Sequence, residues 1–270
     1  YAVKPTDFHG VMPKLVAKPG DEVKVGSVLF FDKYNPEVKF TSPVSGKVSA
    51  INRGERRKIL EVVVEPDSQD EYLEFKVGDP SSLGRDEIIK LMLESGMWPV
   101  IQQRPYAIIA DPSKKPKAIF ISGFDSSPLA PDVDFLVKDF EKEFQKGIDV
   151  LSKLTDGKIH LSLNAAYPPA KTYSRAKGVE LHYFKGPHPS GNVGVQIHHI
   201  DPVNKGEYVW YIRPMDVIRT GKFFMDGKID NSALVALTGS EVIKPVYYKM
   251  IRGACINTLI KDNLKRSEER

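Results

Sequence analysis

The chain has a single cysteine, Cys255, set in the apolar run "MIRGACINTLI". One thiol cannot build an intrachain disulfide framework, an all-cysteine iron–sulfur centre or an all-cysteine zinc site. Such sparing use also fits a reducing compartment. No run approaches the roughly 18 apolar residues that span a bilayer as a helix. Neither sign of charge is in large excess. The 39 basic and 35 acidic residues leave a net +4, scattered along the chain and too mild to argue for nucleic acid. Internal repeats and low-complexity tracts are absent. What remains is an ordinary globular composition, 41% hydrophobic and 27% charged over 270 residues. That length is room for two domains and part of a third. The start at Tyr1 and the charged end "LKRSEER" read as cut points of a longer protein.

Residues 14–64 are dense in strand signals. "KLVAKPGDEVKVGSVLFFD" holds two short strands split by turns at Pro19-Gly20-Asp21 and near Gly26. "EVKFTSPVSGKVSAINR" holds two more, and "KILEVVVEP" closes the set. Several strands of four to six residues with glycine turns predict a small all-β sandwich or barrel. The polar stretch "PDSQDEY" (66–72) reads as a linker.

Beyond it the pattern changes. "GRDEIIKLMLESG" (84–96) reads as a helix stopped at Gly96. "PDVDFLVKDFEKEFQKGIDVLSKLTDG" (131–157) carries Leu136, Phe140, Phe144, Ile148 and Leu151 on one stripe, which predicts one long helix. "KAIFISG", "KIHLSLN", "VELHYF" and "EYVWYI" read as strands, and Pro214 suits the first turn of a helix over "PMDVIRTGKFFMDG". Strands alternating with amphipathic helices predict a parallel α/β sheet between about residues 100 and 228. The segment "ALVALTGSEVIKPVYYKMIRGACINTLIKDNL" returns to a β pattern and then a short helix, as if opening a third domain.

The stretch "KGPHPSGNVGVQIHHIDPV" (185–203) could be a metal site, a phosphate loop or a rigid corner. A metal needs converging ligands, but the adjacent His198 and His199 diverge and His188 is remote. Gly186, Gly191 and Gly194 lack the G-x-G-x-x-G spacing, and two prolines remove amide donors that an anion would want. The residues favour a stiff strand-to-helix corner in which His188 makes a local hydrogen bond. No metal ligand set is assigned.

Two resemblances sharpen this reading. "PGDEVKVGSVLFFD" with "TSPVSGKVSAI" resembles the biotinyl/lipoyl-like barrel-sandwich hybrids. The hairpin "DKYNPEVKF" has Lys33 and Lys39 without the usual methionine-flanked carrier lysine, so a docking module is preferred over a cofactor carrier. "GPHPSGNVGVQIHHIDPV", "VKFTSPVSGKV" and "ESGMWPVIQQRPY" together resemble the A-subunit family of bacterial Na+-translocating NADH:quinone oxidoreductases over nearly the whole chain. The implied fold is α+β multidomain. It comprises a barrel-sandwich hybrid (1–66), a Rossmann-like α/β domain related to the complex I flavoprotein subunit (67–228), and the beginning of a soluble-ligand-binding β-grasp domain (229–270).

The resemblance implies a peripheral subunit on the cytoplasmic face of the bacterial inner membrane. The complex would oxidise NADH, reduce ubiquinone and move Na+, with flavins and iron–sulfur centres on partner subunits. The flavin-binding relatives carry a glycine-rich loop after the first helix, where this chain reads "SGMWPVIQQRPYAII". Bulk there leaves no cradle for an isoalloxazine ring. Trp98, Gln103, Arg104, Pro105 and Tyr106, with Asp125 after the strand "KAIFISG", are the candidate contacts for a planar quinone headgroup. Gly186, His188, Gly191 and His198 are expected near the same cleft. An equally open reading makes Trp98 and Tyr106 packing residues and Arg104 a helix cap. No catalytic acid, base or nucleophile is assigned. The alternatives are a stand-alone NADH- or flavin-dependent oxidoreductase and a purely structural docking protein.

Overall fold

The computed structural model describes residues 1–265; positions 266–270, at the end of the expected third domain, lie outside the described residues. The N-terminal strands are β1 (Ala2–Val3), β2 (Pro13–Leu15), β3 (Glu22–Val23), β4 (Val28–Asp32), β5 (Lys39–Thr41), β6 (Gly46–Arg53) and β7 (Ile59–Pro66). They form a four-stranded sheet in the order β1-β7-β6-β3 and a three-stranded sheet β2-β4-β5. Valines and phenylalanines at alternating positions face inward, including Val48, Val62 and Val64, all essentially inaccessible. Phe30 and Phe40 stack at 4.7 Å in the same core. Lys33 is exposed between β4 and β5, whereas Lys39 already lies in β5 opposite Phe31. Residues 66–72 are no loose linker. Ser45 donates to Asp70 and to the Gln69 carbonyl, and its hydroxyl accepts from Glu71 N at 2.9 Å, which pins the segment to the barrel.

Next come α1 (Arg85–Glu94), β8 (Gln102–Arg104), β9 (Ile108–Ile109), β10 (Ile119–Ser122), α2 (Val133–Val137), α3 (Glu141–Ser152), β11 (Ile159–Asn164), α4 (Lys171–Ser174), β12 (Glu180–Phe184), α5 (Val193–Ile200), β13 (Val209–Tyr211) and α6 (Pro214–Asp226). The sheet order is β12-β11-β10-β13-β8-β9. Its first four strands are parallel, and β8 and β9 add an antiparallel hairpin. Apolar side chains of β10 and β11 on one face join the core of α3 and α6. On the other face Phe120 packs with Ile197 of α5. Burial on both faces is why these strands read as near-continuous apolar runs.

The helix expected over 131–157 is two helices. Phe140 leaves helical geometry (φ −119°, ψ 38°), and the Thr172 hydroxyl donates to the Val137 carbonyl at 2.6 Å. The apolar stripe survives the break, since Leu136, Phe144, Ile148 and Leu151 are all buried. The described chain ends in the antiparallel hairpin β14 (Ser232–Leu237) and β15 (Val246–Ile251), followed by α7 (Asn257–Ile260).

Candidate functional site

Strands β10 and β13 lie side by side, but the chain leaves them in opposite directions. From β10 it runs through α2 and α3 to β11, away from β13; β13 is entered from α5 and leads into α6. Such a divergence opens a crevice beyond the carboxyl ends of the two strands. Here it is a cleft of about 790 Å³. Ser122, Phe124 and Asp125 line it after β10; Tyr211, Ile212 and Arg213 line it at the end of β13. The first turns of α5 and α6 form the walls, and Ser232–Leu234 with Arg252 close one side.

Apolar side chains, three arginines (Arg104, Arg213 and Arg252) and two carboxylates (Asp125 and Asp216) line the cleft. The Arg104 guanidinium sits 5.1 Å from the centre of the Tyr211 ring, and its buried Nε has no hydrogen-bond partner among the described residues. The Tyr211 hydroxyl in turn donates to Gln102 Oε1. Two helix amino ends, those of α5 and α6, add a positive potential. In α6, the buried Asp216 accepts from Arg219 Nη1 at 3.0 Å and from Arg252 Nη2 at 2.6 Å. Burial resists ionisation of Asp216, but Arg252 and Arg219 prevail and hold its carboxyl below the usual range. Burial and the neighbouring Arg252 push the Arg219 guanidinium down to about 10, against the pull of Asp216. Ser122 Oγ accepts from Gln196 Nε2 at 2.9 Å and faces the carbonyls of Phe124 and Gly191 at 2.9 and 3.1 Å. This ties the loop before α5 to the end of β10. The arrangement can grip a planar ligand that carries acceptor or anionic oxygens.

The structure separates the predicted contacts. Arg104, Asp125 and Gly191 line the cleft. Trp98 does not: it is fully buried, donates from Nε1 to Ala110 O at 2.7 Å, and meets Trp210 edge-on at 5.4 Å. Gln103 is also core, its Oε1 accepting from Trp210 Nε1 at 3.4 Å. The expectation that Trp98 and Gln103 face a ligand together with Arg104 is therefore corrected. Successive residues of a strand point to opposite faces, so Gln103 turns toward the tryptophan pair while Arg104 reaches the cleft. Pro105 and Tyr106 are exposed on the β8–β9 turn, with Tyr106 at φ +82°. Gly186 and His188 are exposed in the loop after β12. His188 Nδ1 meets Ser126 Oγ at 3.1 Å, a local hydrogen bond of the kind expected. His198 is exposed on α5 and its ring lies beside His199.

Sequence patterns do not single out Tyr211, Arg213, Gln196 or Arg252. Arg213 is within their reach, because it sits between a legible strand and the helix-starting Pro214. Arg252 arrives from the end of β15, and no local signal announces it.

These features define a class: a mixed α+β protein with a barrel-sandwich module and an α/β domain that presents a ligand cleft at the carboxyl ends of parallel strands. The family model described as "NqrA second alpha/beta domain" matches residues 83–229, "NqrA N-terminal barrel-sandwich hybrid domain" matches 1–67, and "NQRA C-terminal domain" matches 234–270. The chain belongs to the NqrA family. It is 37% identical over 268 residues to the A subunit of the Na(+)-translocating NADH-quinone reductase of Yersinia pestis bv. Antiqua (strain Angola). It is 38% identical over the same length to the corresponding protein of Neisseria meningitidis serogroup A / serotype 4A. Each match covers 98% of this chain and 59% of the relative, so the chain spans about three-fifths of these relatives' length. An NAD+-reducing NiFe-hydrogenase in the air-oxidized state shares a looser likeness, with TM-score 0.49 and 11% identity over 68% of this chain and 39% of that one.

Proposed function

We propose that the chain is a peripheral part of a membrane complex that oxidises NADH, reduces ubiquinone and pumps Na+ out of the cytoplasm, and that its cleft holds the quinone headgroup. The name of its relatives supports the first half. The second half rests on Arg104, whose guanidinium lies over the Tyr211 ring at the cleft and whose Nε has no hydrogen-bond partner among the described residues. A quinone ring would lie against Phe124 and Tyr211, its carbonyl oxygens accepting from Arg104. Asp125 and Gly191 bound the same space. Trp98 and Gln103 act from behind the sheet by fixing Trp210. Pro105 and Tyr106 extend the same quinone site from the exposed turn after Arg104, and partner subunits carry the flavins and iron–sulfur centres.

On this reading the protein holds no flavin or iron–sulfur centre itself and lies on the cytoplasmic face of the bacterial inner membrane. No helix among the described residues is long and apolar enough to cross a membrane. On the same reading the domains are a biotinyl/lipoyl-like module over 1–66, a Rossmann-like module over 67–228 and the beginning of a β-grasp domain over 229–270.

The test is a photoreactive ubiquinone analogue on the intact membrane complex. Label is expected on peptides holding Arg104, Asp125 or Tyr211. Arg104→Leu should raise the quinone KM about tenfold, the weight of one lost charge-assisted hydrogen bond. Label confined to other subunits would sink the proposal.

A second reading has one observation in its favour. Two helix amino ends and the cationic Arg213 and Arg252 at the cleft would also suit the pyrophosphate of NADH, as in a stand-alone oxidoreductase. Micromolar NADH binding to the isolated protein, competed by a quinone analogue, would decide for it.

A further inference from the structure

We propose that His160, Glu180 and His182 form a binding site for a zinc-class divalent cation on the α5 face of the sheet, away from the quinone cleft. The three side chains come from adjacent parallel strands. His160 of β11 is in register with Glu180 of β12, and His182 follows two residues later on the same face. Their candidate ligand atoms all lie within 4.8 Å of one another. His160 Nδ1 is 3.0 Å from His182 Nε2 and 3.6 Å from Glu180 Oε2. Two nitrogens on one tetrahedral zinc ion, each at about 2.0–2.1 Å, stand roughly 3.3 Å apart. The observed spacings bracket that value, so small side-chain adjustments would bring the three atoms onto one ion.

The surroundings suit a metal ligand set. His160 is buried on the sheet face that also carries the other two side chains. The ring lies 4.7 Å from Phe120, which fixes its plane. Ser162, in register with His182, is fully buried on the same face, and its hydroxyl has no hydrogen-bond partner among the described residues. Glu180 and His182 are half-buried, which leaves a route from solvent and room for water at the remaining positions. Two imidazoles and one carboxylate prefer zinc or its transition-metal neighbours over magnesium or calcium. The resident competitor is Lys158, whose ammonium pairs with Glu180; Asp201 adds a negative charge that also acts on His160.

The sequence signal is present but fragmentary. "KIHLSLN" and "KGVELHYF" each show one histidine in a strand, and only their register brings the two together.

Zn2+ is titrated into the full-length protein against a chromophoric chelator, with circular dichroism to confirm that each variant is folded. One tight equivalent is expected. His182→Gln and Glu180→Gln, both at half-exposed positions, should weaken it at least tenfold. Lys158→Met should tighten it several-fold, because it frees Glu180 and removes a competing cation. Co2+ in place of Zn2+ should give visible ligand-field bands that vanish in His182→Gln. The site is refuted if no equivalent competes with the chelator, if binding survives His182→Gln unchanged, if Lys158→Met weakens it, or if a His198→Gln/His199→Gln variant abolishes it.

Discussion

Asp216→Asn is expected to lower the unfolding free energy by about 3–5 kcal/mol, the usual consequence of removing one partner from a buried ion pair. The cost falls mainly on Arg219. That guanidinium is 6% exposed and is held by Asp216, by the Asp230 carbonyl at 2.8 Å and by Asn231 Oδ1 at 3.1 Å. Without the carboxylate it is a buried cation hydrogen-bonded only to neutral acceptors, with the more distant Asp230 carboxylate as its remaining counter-charge. Arg252, whose side chain is 40% exposed, can retreat to water, but its departure releases the end of β15 from α6. Urea unfolding measures the loss, and limited proteolysis should find new cuts in the β14–β15 hairpin. Asp216→Leu combined with Arg219→Met should recover much of the stability, because apolar replacements remove both desolvated charges together. A loss below about 1 kcal/mol in Asp216→Asn would show that the arginines are compensated elsewhere.

The same carboxylate gives a pH dependence with a definite sign. Its pKa in the folded protein lies below the unfolded value of about 3.8. A group depressed in this way stabilises the fold above the unfolded pKa, and that contribution is lost as pH falls through the folded one. Acid should therefore weaken the wild type below pH 3.8 by a component that Asp216→Asn lacks. Parallel pH titrations of stability would show the two curves converging toward low pH.

Much of the central sheet is legible in the sequence because its strands are buried on both faces and announce themselves as apolar runs. The helix after Arg213 is legible for another reason. Pro214 starts it, and Gly227, in the left-handed region at φ +66°, ends it. The break between α2 and α3 is not legible, because the stripe runs through it in regular steps. What interrupts it is tertiary: Thr172, on another element, takes the Val137 carbonyl.

The site shows the same divide. Asp125 can be placed from the rule that ligands gather beyond a parallel strand. Trp98, Gln103 and Arg104 look like one constellation because they are close in sequence, but Trp98 lies in a buried turn before β8 and strand alternation parts Gln103 from Arg104. Arg252 and the His160–His182 pair depend on register between distant segments, which no local pattern encodes.

Gly221→Ala should also destabilise strongly, although helix propensity alone argues the reverse. In an exposed helix the change would add up to about 1 kcal/mol of stability. Here α6 crosses α3 at two glycines. A Cβ on Gly221 would stand 1.8 Å from the Glu143 carbonyl oxygen, and one on Gly147 would stand 2.2 Å from that of Val217. Both obstacles are backbone, so no side chain can swing aside and the helices must separate. Separation strips contact from Phe144, Ile148, Val217 and Phe224, all buried around this crossing. Overpacking of this kind costs about 1–3 kcal/mol and more where the backbone itself must move. A net loss of about 3 kcal/mol is expected, or roughly 10 °C in Tm at 2–4 °C per kcal/mol for a chain of this size. Because the first turn of α6 walls the cleft, the quinone photolabelling proposed for Tyr211 should fall with it. A Tm at or above the wild-type value would mean that the two helices have slack at their crossing, and that the glycines are not what sets their distance.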